Sequence, residues 1–302
     1  MALKQVKNKI TSTKKTGQVT KALESVSAVK MRKSQERAFA GRPYVHAALR
    51  ILAQLTRSQD GLQHPLAQSR TADKRLLIIV TSDKGLAGSV NSAVLKRAEE
   101  ALATADISEY DTICVGRKAV DFAKRNQLPV IHEYTNVSDE VVLDDVLDMT
   151  VAALEGFANG EYNHVHVIYQ NFLSTFEQEP TKRQLLPLDP NEIHYIMRGI
   201  RPKTGKFSVD VESADQQIMY TVEPSPEEVL DTLIPQLVQI MLYHALLESK
   251  ASEHSARMVA MKNATDKSKE VIKALTIEYN NARQAAITAE VSEITAGVEA
   301  MK

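Results

Sequence analysis

A strand-like run, RLLIIVT at 75–81, leads into SDKGLAGSVN at 82–91. An apolar strand entering a glycine-bearing turn is where many α/β proteins hold a phosphate. The spacing argues against that chemistry here. A phosphate cradle of the GxxxxGK[ST] type sets its lysine at the helix start, followed by a hydroxyl for Mg²⁺; Lys84 instead precedes both Gly85 and Gly88, and no GxGxxG is formed. The turn reads as a tight strand-to-helix connection that docks its domain on neighbours. His164 and His166 alternate along NHVHVIYQNF (163–172) and so share one strand face. With no third ligand near them in sequence, they read as satisfied structural histidines and not as a metal pair. Cys114 is the only cysteine, which leaves no internal disulfide, CxxC redox pair or cysteine zinc site and fits a reducing compartment. No Ser-His-Asp order, GxSxG elbow or HExxH appears. No catalytic, cofactor-binding or metal-binding residue is assigned.

The charge is unevenly spread. Thirty-seven basic and 38 acidic side chains nearly cancel over 302 residues. Between Met1 and Arg42, however, eleven Lys or Arg face only Glu24 and Glu36, a balance of +9. Such an arm fits a solvated face, a nucleic-acid arm or a docking surface for an acidic partner. Nucleic acid is the weaker reading, because the arm has few aromatics to stack bases and no recognisable reading module. No apolar run approaches the roughly 20 residues of a membrane span, and the amino end lacks the apolar centre of a signal peptide.

Long helices must present these groups. From Leu3 to about Arg57 only Gly17, Gly41 and Pro43 interrupt, and Leu3, Val6 and Ile10 recur at steps of three and four. A second register carries Val19, Leu23 and Val26, which predicts a drifting stripe on a helix of about 80 Å. At the other end SPEE (225–228) is a capping box, with Ser225 as N-cap and Pro226 at the first helical position. Met258, Met261, Thr265, Ser268, Ile272, Leu275, Tyr279, Ala282 and Ala286 then form a seam of small and apolar residues at three- and four-residue steps. That helix would run about 110 Å, with a kink or restart at Pro235.

Between them, the strands predicted at 75–81, 111–116, 128–134 and 163–172 alternate with helices near 90–104, 117–126 and 139–158. This βαβ pattern implies a Rossmann-like, mostly parallel sheet edged by late strands near 181–188 and 216–223. The fold class is therefore α/β plus a long antiparallel coiled coil. Its parts are an N-terminal helix (1–57), an inserted α/β domain (74–223) and a C-terminal helix (225–302).

ITSTKKTGQVTKALESVSAVKMRKSQ near the amino end, SDKGLAGSVN in the middle and EHSARMVAMKNATDKSKEVIKALTIEYNNARQAAITAEVSEITAG near the carboxyl end together resemble the gamma subunit of F-type ATP synthase. The resemblance implies a non-catalytic rotor shaft turning inside a hexamer of alpha and beta subunits, with the catalytic sites at the alpha–beta interfaces. Its α/β domain would contact the epsilon subunit and the membrane c-ring. Ion-driven rotation of that ring would force the beta sites through their states in turn. The implied setting is a peripheral membrane complex on the cytoplasmic face of a bacterial inner membrane, with no direct membrane span and no nucleic acid. Ala87 stands where the family often has cysteine, and Leu23 where it often has methionine.

The resemblance also assigns partner contacts. Lys7, Lys9, Lys14, Lys21, Lys30, Arg32 and Lys33 would attract an acidic helix-turn-helix of beta at long range. Arg283, Gln284, Thr288 and Glu290, in RQAAITAE, match the family's catch contacts; the arginine suits a two-bond grip on a carboxylate that lysine could not reproduce. Arg257, Met258, Met261 and Leu23 match positions where the paired helices cross and couple to beta. Ile287, Val291, Ile294 and Val298, followed by Met301, form an apolar stripe beyond the reach of the shorter N-terminal helix, suited to an apolar sleeve. A static coiled-coil tether, and a nucleotide- or nucleic-acid-binding α/β protein with helical arms, are the competing readings.

Overall fold

The computed structural model describes residues 3–41, 44, 47–48, 50–52, 54–55, 64–103, 106–189, 223 and 225–301. The chain divides into two compact units, Met1–Ser27 with Arg257–Lys302, and Ala28–Ala256.

The first helix, α1, spans Leu3–Ala40 and stops short of the expected end near Arg57, with Gly41 in a turn. Gly41 and Pro43 explain the early stop. Glycine costs a helix backbone entropy, and a sequence with proline two residues on disfavours continuing the helix. Described residues between 44 and 55 are helical again, and Arg57 itself lies outside the described residues.

The α/β unit follows the predicted alternation. In chain order come β1 (Lys74–Val80), α2 (Val90–Leu102), β2 (Tyr110–Val115), α3 (Arg117–Arg125), β3 (Val130–Tyr134), α4 (Leu147–Ala158), β4 (Tyr162–Phe172) and β5 (Gln178–Leu186). The sheet order is β3-β2-β1-β4-β5. Neighbours among the first four are parallel, and β5 closes the edge antiparallel to β4. The strand expected near 216–223 lies outside the described residues except for Glu223.

Alternate residues of the strands feed two cores, as the period of two requires. Leu76, Ile78, Ile113, Val165 and Val167 pack with α4 and the Leu230–Leu247 stretch of the last helix. Leu77, Ile79, Cys114 and Ile168 pack with α2 and α3. Cys114 is fully buried, and burial pushes its thiol pKa up to about 11.

The last helix, α5, spans Pro226–Glu299. It starts as the capping box predicts: the Glu228 N–H donates to Ser225 Oγ at 3.2 Å, and Ser225 Oγ lies 3.4 Å from Glu228 Oε1. Pro235 neither ends nor restarts it. Leu233, Ile234, Leu237 and Val238 around the proline are all buried, and that packing outweighs a local cost of about 3 kcal/mol. One 18-residue window of α5 is apolar enough for a membrane span, contrary to the expectation that no run would come close. Of that window 56% is buried inside the protein, the pattern of a core helix.

Candidate functional site

In the unit formed by Met1–Ser27 and Arg257–Lys302, the two long helices meet along a seam of small residues. Thr20 Oγ1 and Thr265 Oγ1 share a buried hydrogen bond of 2.7 Å between the helices. A Cβ placed on Gly17 would stand 3.3 Å from Ser268 Cβ, so glycine there permits a close approach. Residue 20 faces 265 and residue 17 faces 268, so one chain runs up as the other runs down. The helices are antiparallel.

Each seam hydroxyl also has a carbonyl of its own helix within reach, and of the two threonines one donates to its carbonyl while the other donates across the seam. Thr20 Oγ1 lies 3.1 Å from the Gly17 carbonyl, Thr265 Oγ1 is 2.8 Å from the Met261 carbonyl, and Ser268 Oγ is 2.8 Å from the Ala264 carbonyl. Short polar side chains can therefore line a dry interface without orphaned groups.

On α1 the drifting stripe expected from Val19, Leu23 and Val26 is not what is buried. Val19 is 59% and Val26 50% exposed, and Leu23 is half-buried. The inward positions are Val6, Thr20 and Ser27, with Leu3, Ile10, Thr13 and Gly17 partly covered. This continues the first register without drift, because backbone proximity at Gly17 favours small residues over apolar ones. On α5 the predicted register holds. Met261, Thr265 and Ser268 are buried, and Met258, Ile272, Leu275, Tyr279 and Ala282 are partly buried; only Ala286 is exposed.

The antiparallel register also fixes where cover runs out. If 17 faces 268 and 20 faces 265, Leu3 faces the turn around Ala282, and the residues of α5 beyond it have no α1 residue opposite. Every described residue from Arg283 onward is exposed. Ile287 is 50%, Val291 56%, Ile294 67%, Val298 56% and Met301 91% exposed. The first four of these sit at steps of four, three and four on one helix face. Arg283, Gln284, Thr288 and Glu290 share this exposed stretch, with the Thr288 hydroxyl donating to the Gln284 carbonyl at 2.9 Å.

The basic residues of α1 differ in their surroundings. Lys7, Lys9, Lys14 and Lys21 are exposed, Lys21 pairing with Glu24 at 3.0 Å. Arg257 is 7% and Met261 5% exposed. In the Ala28–Ala256 unit, Arg32 pairs with Glu36 at 3.0 Å, Lys33 with Glu140 at 3.5 Å and Arg37 with Glu140 at 3.2 Å.

Lys30 bonds to Asp139. His254 Nε2 also meets that carboxylate at 3.0 Å, and Lys250 Nζ approaches it to 3.9 Å while donating to the Val137 carbonyl at 2.9 Å. The bond from His254 is the largest influence holding the Asp139 carboxyl far below the usual carboxylate range, and Lys30 adds to it. Sequence reasoning missed this acidic hub; its signal was the adjacent pair Asp139 and Glu140, read only as the start of a helix.

The SDKGLAGSVN turn is closed by its own side chains. Ser82 N–H donates to Asn91 Oδ1 at 3.0 Å, Asn91 Nδ2 to Ser82 Oγ at 2.7 Å, and Ser82 Oγ lies 2.8 Å from the Lys84 carbonyl. Asp83 Oδ1 accepts from the Arg117 N–H at 3.0 Å, which sets a carboxylate on the first turn of α3. Those contacts fit a tight connection and disfavour an anion at that position. Leu86 is held at φ +62° with its side chain 67% exposed, a strained backbone carrying an outward apolar group. Gly116, at φ +88°, is required: a Cβ there would stand 2.3 Å from the Thr81 carbonyl oxygen. Among the described residues no group of His, Cys, Asp or Glu could hold a metal ion.

The ATP synthase family model matches residues 2–301. The chain belongs to the F-type ATP synthase gamma family. Among solved structures, a chain of the central stalk/c-ring of Tetrahymena thermophila mitochondrial ATP synthase is 25% identical with a TM-score of 0.55, covering 82% of this gamma-family chain and 99% of that one. Two structures of Euglena gracilis mitochondrial ATP synthase share its fold. The rotor chain is 16% identical with a TM-score of 0.61, covering 94% of this chain and 98% of that one. A chain of the OSCP/F1/c-ring assembly is 18% identical with a TM-score of 0.64, covering 99% and 94%.

Proposed function

We propose that this gamma-family chain is the central rotor shaft of the ATP synthase catalytic sector. It couples ion-driven rotation of the membrane c-ring to sequential conformational change in the beta subunits, and the catalytic sites lie in beta, not here. The observation that carries this reading is the apolar stripe Ile287, Val291, Ile294 and Val298, exposed where the antiparallel seam has run out. Contact between apolar surfaces is non-directional. A shaft turning in an apolar sleeve therefore loses no aligned hydrogen bond at each step, whereas a polar tip would lose and regain several.

The other contacts follow the same reading. Arg283, Gln284, Thr288 and Glu290 are the catch on beta, and Arg257, Met258, Met261 and Leu23 couple the crossing helices to it. The exposed lysines of α1 attract an acidic surface of beta. The globular unit contacts the epsilon subunit and the c-ring. The complex is peripheral to a membrane, and we assign it to the cytoplasmic face of a bacterial inner membrane. The test is reconstitution. The purified chain alone should not hydrolyse ATP; mixed with alpha and beta subunits it should support hydrolysis coupled to its own rotation, read by a bead or rod fixed to the globular unit. ATP turnover by the chain alone, or turnover in the mixture with no rotation, overturns the assignment.

A further inference from the structure

The face of the sheet that carries Leu77 and Ile79 also carries a group of cationic side chains that the rotor role does not use. Arg75 of β1 is directly opposite His164 of β4, and Leu77 opposite His166. On the other side of β4, Ile168 is opposite Lys182 and His166 opposite Gln184 of β5. Directly opposed residues point to the same face, so Arg75, His164, His166 and Lys182 share it across three adjacent strands. The two imidazoles stack with centroids 5.6 Å apart and planes 13° from parallel.

Polar partners are scarce for such a group. Arg75 donates to the Tyr110 hydroxyl at 3.1 Å and reaches Glu109 only at 3.9 Å. His164 Nδ1 meets Asn163 Oδ1 at 3.0 Å. The side chains of His166 and Lys182 have no hydrogen bond or ion pair among the described residues. Arg97 of α2 adds a further positive charge and is itself paired with Glu100 at 2.9 Å. The charges therefore repel. Burial, helped by Lys182, His164 and Arg75, pushes the His166 pKa down to about 3. Burial, then Arg75 and Lys182, lowers that of His164. Lys182 is lowered by burial, with Arg75 and Arg97 contributing and Tyr110 opposing.

We propose that Arg75, His164, His166 and Lys182 form a binding site for a phosphoryl oxyanion on this sheet face. An edge strand protected against pairing with another chain needs one inward charge; four cationic or protonatable groups on one face, two of them with no side-chain partner among the described residues, exceed that need. A tetrahedral phosphoryl oxyanion supplies what is missing. Its oxygens accept from the Lys182 ammonium, the Arg75 guanidinium and the imidazole N–H groups, and its charge favours the protonated histidines. Free phosphate and the terminal phosphate of a nucleotide share this chemistry.

The test titrates the full chain with inorganic phosphate and, in a second arm, with ADP, holding ionic strength constant with chloride. Histidine-selective NMR reads the ring protons, assigned with H164Q and H166Q. The His164 and His166 signals should shift saturably, and their titration midpoints should rise by about one pH unit or more at saturation, since an adjacent opposite charge favours the charged form. Binding should weaken as pH rises through those midpoints. K182Q should weaken it about tenfold, the loss of one charge-assisted contact, while K182R retains it and circular dichroism verifies that both variants are folded. Saturation by phosphate or by ADP supports the site and identifies which source it takes. Shifts no larger than chloride produces, or equal binding by K182Q, overturn it.

Discussion

Two residue-level contacts carry separable consequences. Thr20 and Thr265 share a hydroxyl bond in a buried seam, so the T20V chain should lose about 1 kcal/mol in denaturant unfolding. The T20V/T265V double variant should lose less than the sum of the singles, because neither partner is left to miss the other. Additive losses would mean the two hydroxyls do not interact. Asp139 is the second case. Its folded carboxyl is held below the ordinary 3.8, so its contribution is fully present above that value and is lost as pH falls toward the lowered folded value. D139N should cost about 1–3 kcal/mol at pH 7, in the range of bonds to charged groups. The gap from the native chain should close as unfolding is measured at progressively lower pH below 3.8.

At the scale of the element, the uncovered end of α5 separates stability from function. Ile294 is 67% exposed, on a stretch with no α1 residue opposite. I294D should therefore leave the unfolding midpoint of the free chain within about 0.5 kcal/mol of native. It should still reduce rotation-coupled ATP turnover in the assembled complex severalfold, as should R283A/Q284A. A static tether predicts unchanged turnover for both.

The elements also show what the sequence could reveal. The α5 seam was legible because Met258 to Ala282 keep their period and their size together. The α1 seam was not, because Val19 and Val26 look like core by type, yet Thr20 and Ser27 fill the positions that close approach at Gly17 demands. Composition reports hydrophobicity, and this seam selects for smallness. The strands were read nearly to their ends from β-branched runs between turns. The Asp139 hub was hidden because its partners Lys30, Lys250 and His254 are more than a hundred residues away in sequence. The stripe beyond Arg283 was legible from helix lengths alone.

For the whole molecule, net charge near zero conceals a basic amino end. Of its cations, Lys30, Arg32, Lys33 and Arg37 are already paired within the chain; Lys4, Lys7, Lys14 and Lys15 are exposed, with no ion pair among the described residues. Attraction at a distance should therefore come from the far amino end. Stopped-flow association with alpha and beta subunits should slow severalfold between low and high salt, as the Debye length shrinks from about 30 Å at 0.01 M to about 3 Å at 1 M. Reversing Lys7, Lys14 and Lys15 to glutamate should flatten that dependence, and reversing Lys33 should not.

The solitary thiol buried in β2 has a practical use. Cys114 is sealed from solvent and its thiolate is disfavoured at neutral pH, so maleimide reagents should pass it by while the protein stays folded. Substituting cysteine at the 81%-exposed Phe176 then yields a chain with one addressable handle and an otherwise native background. A fluorophore or gold particle attached there would report angular position directly, without the cysteine-free scaffold such labelling ordinarily demands.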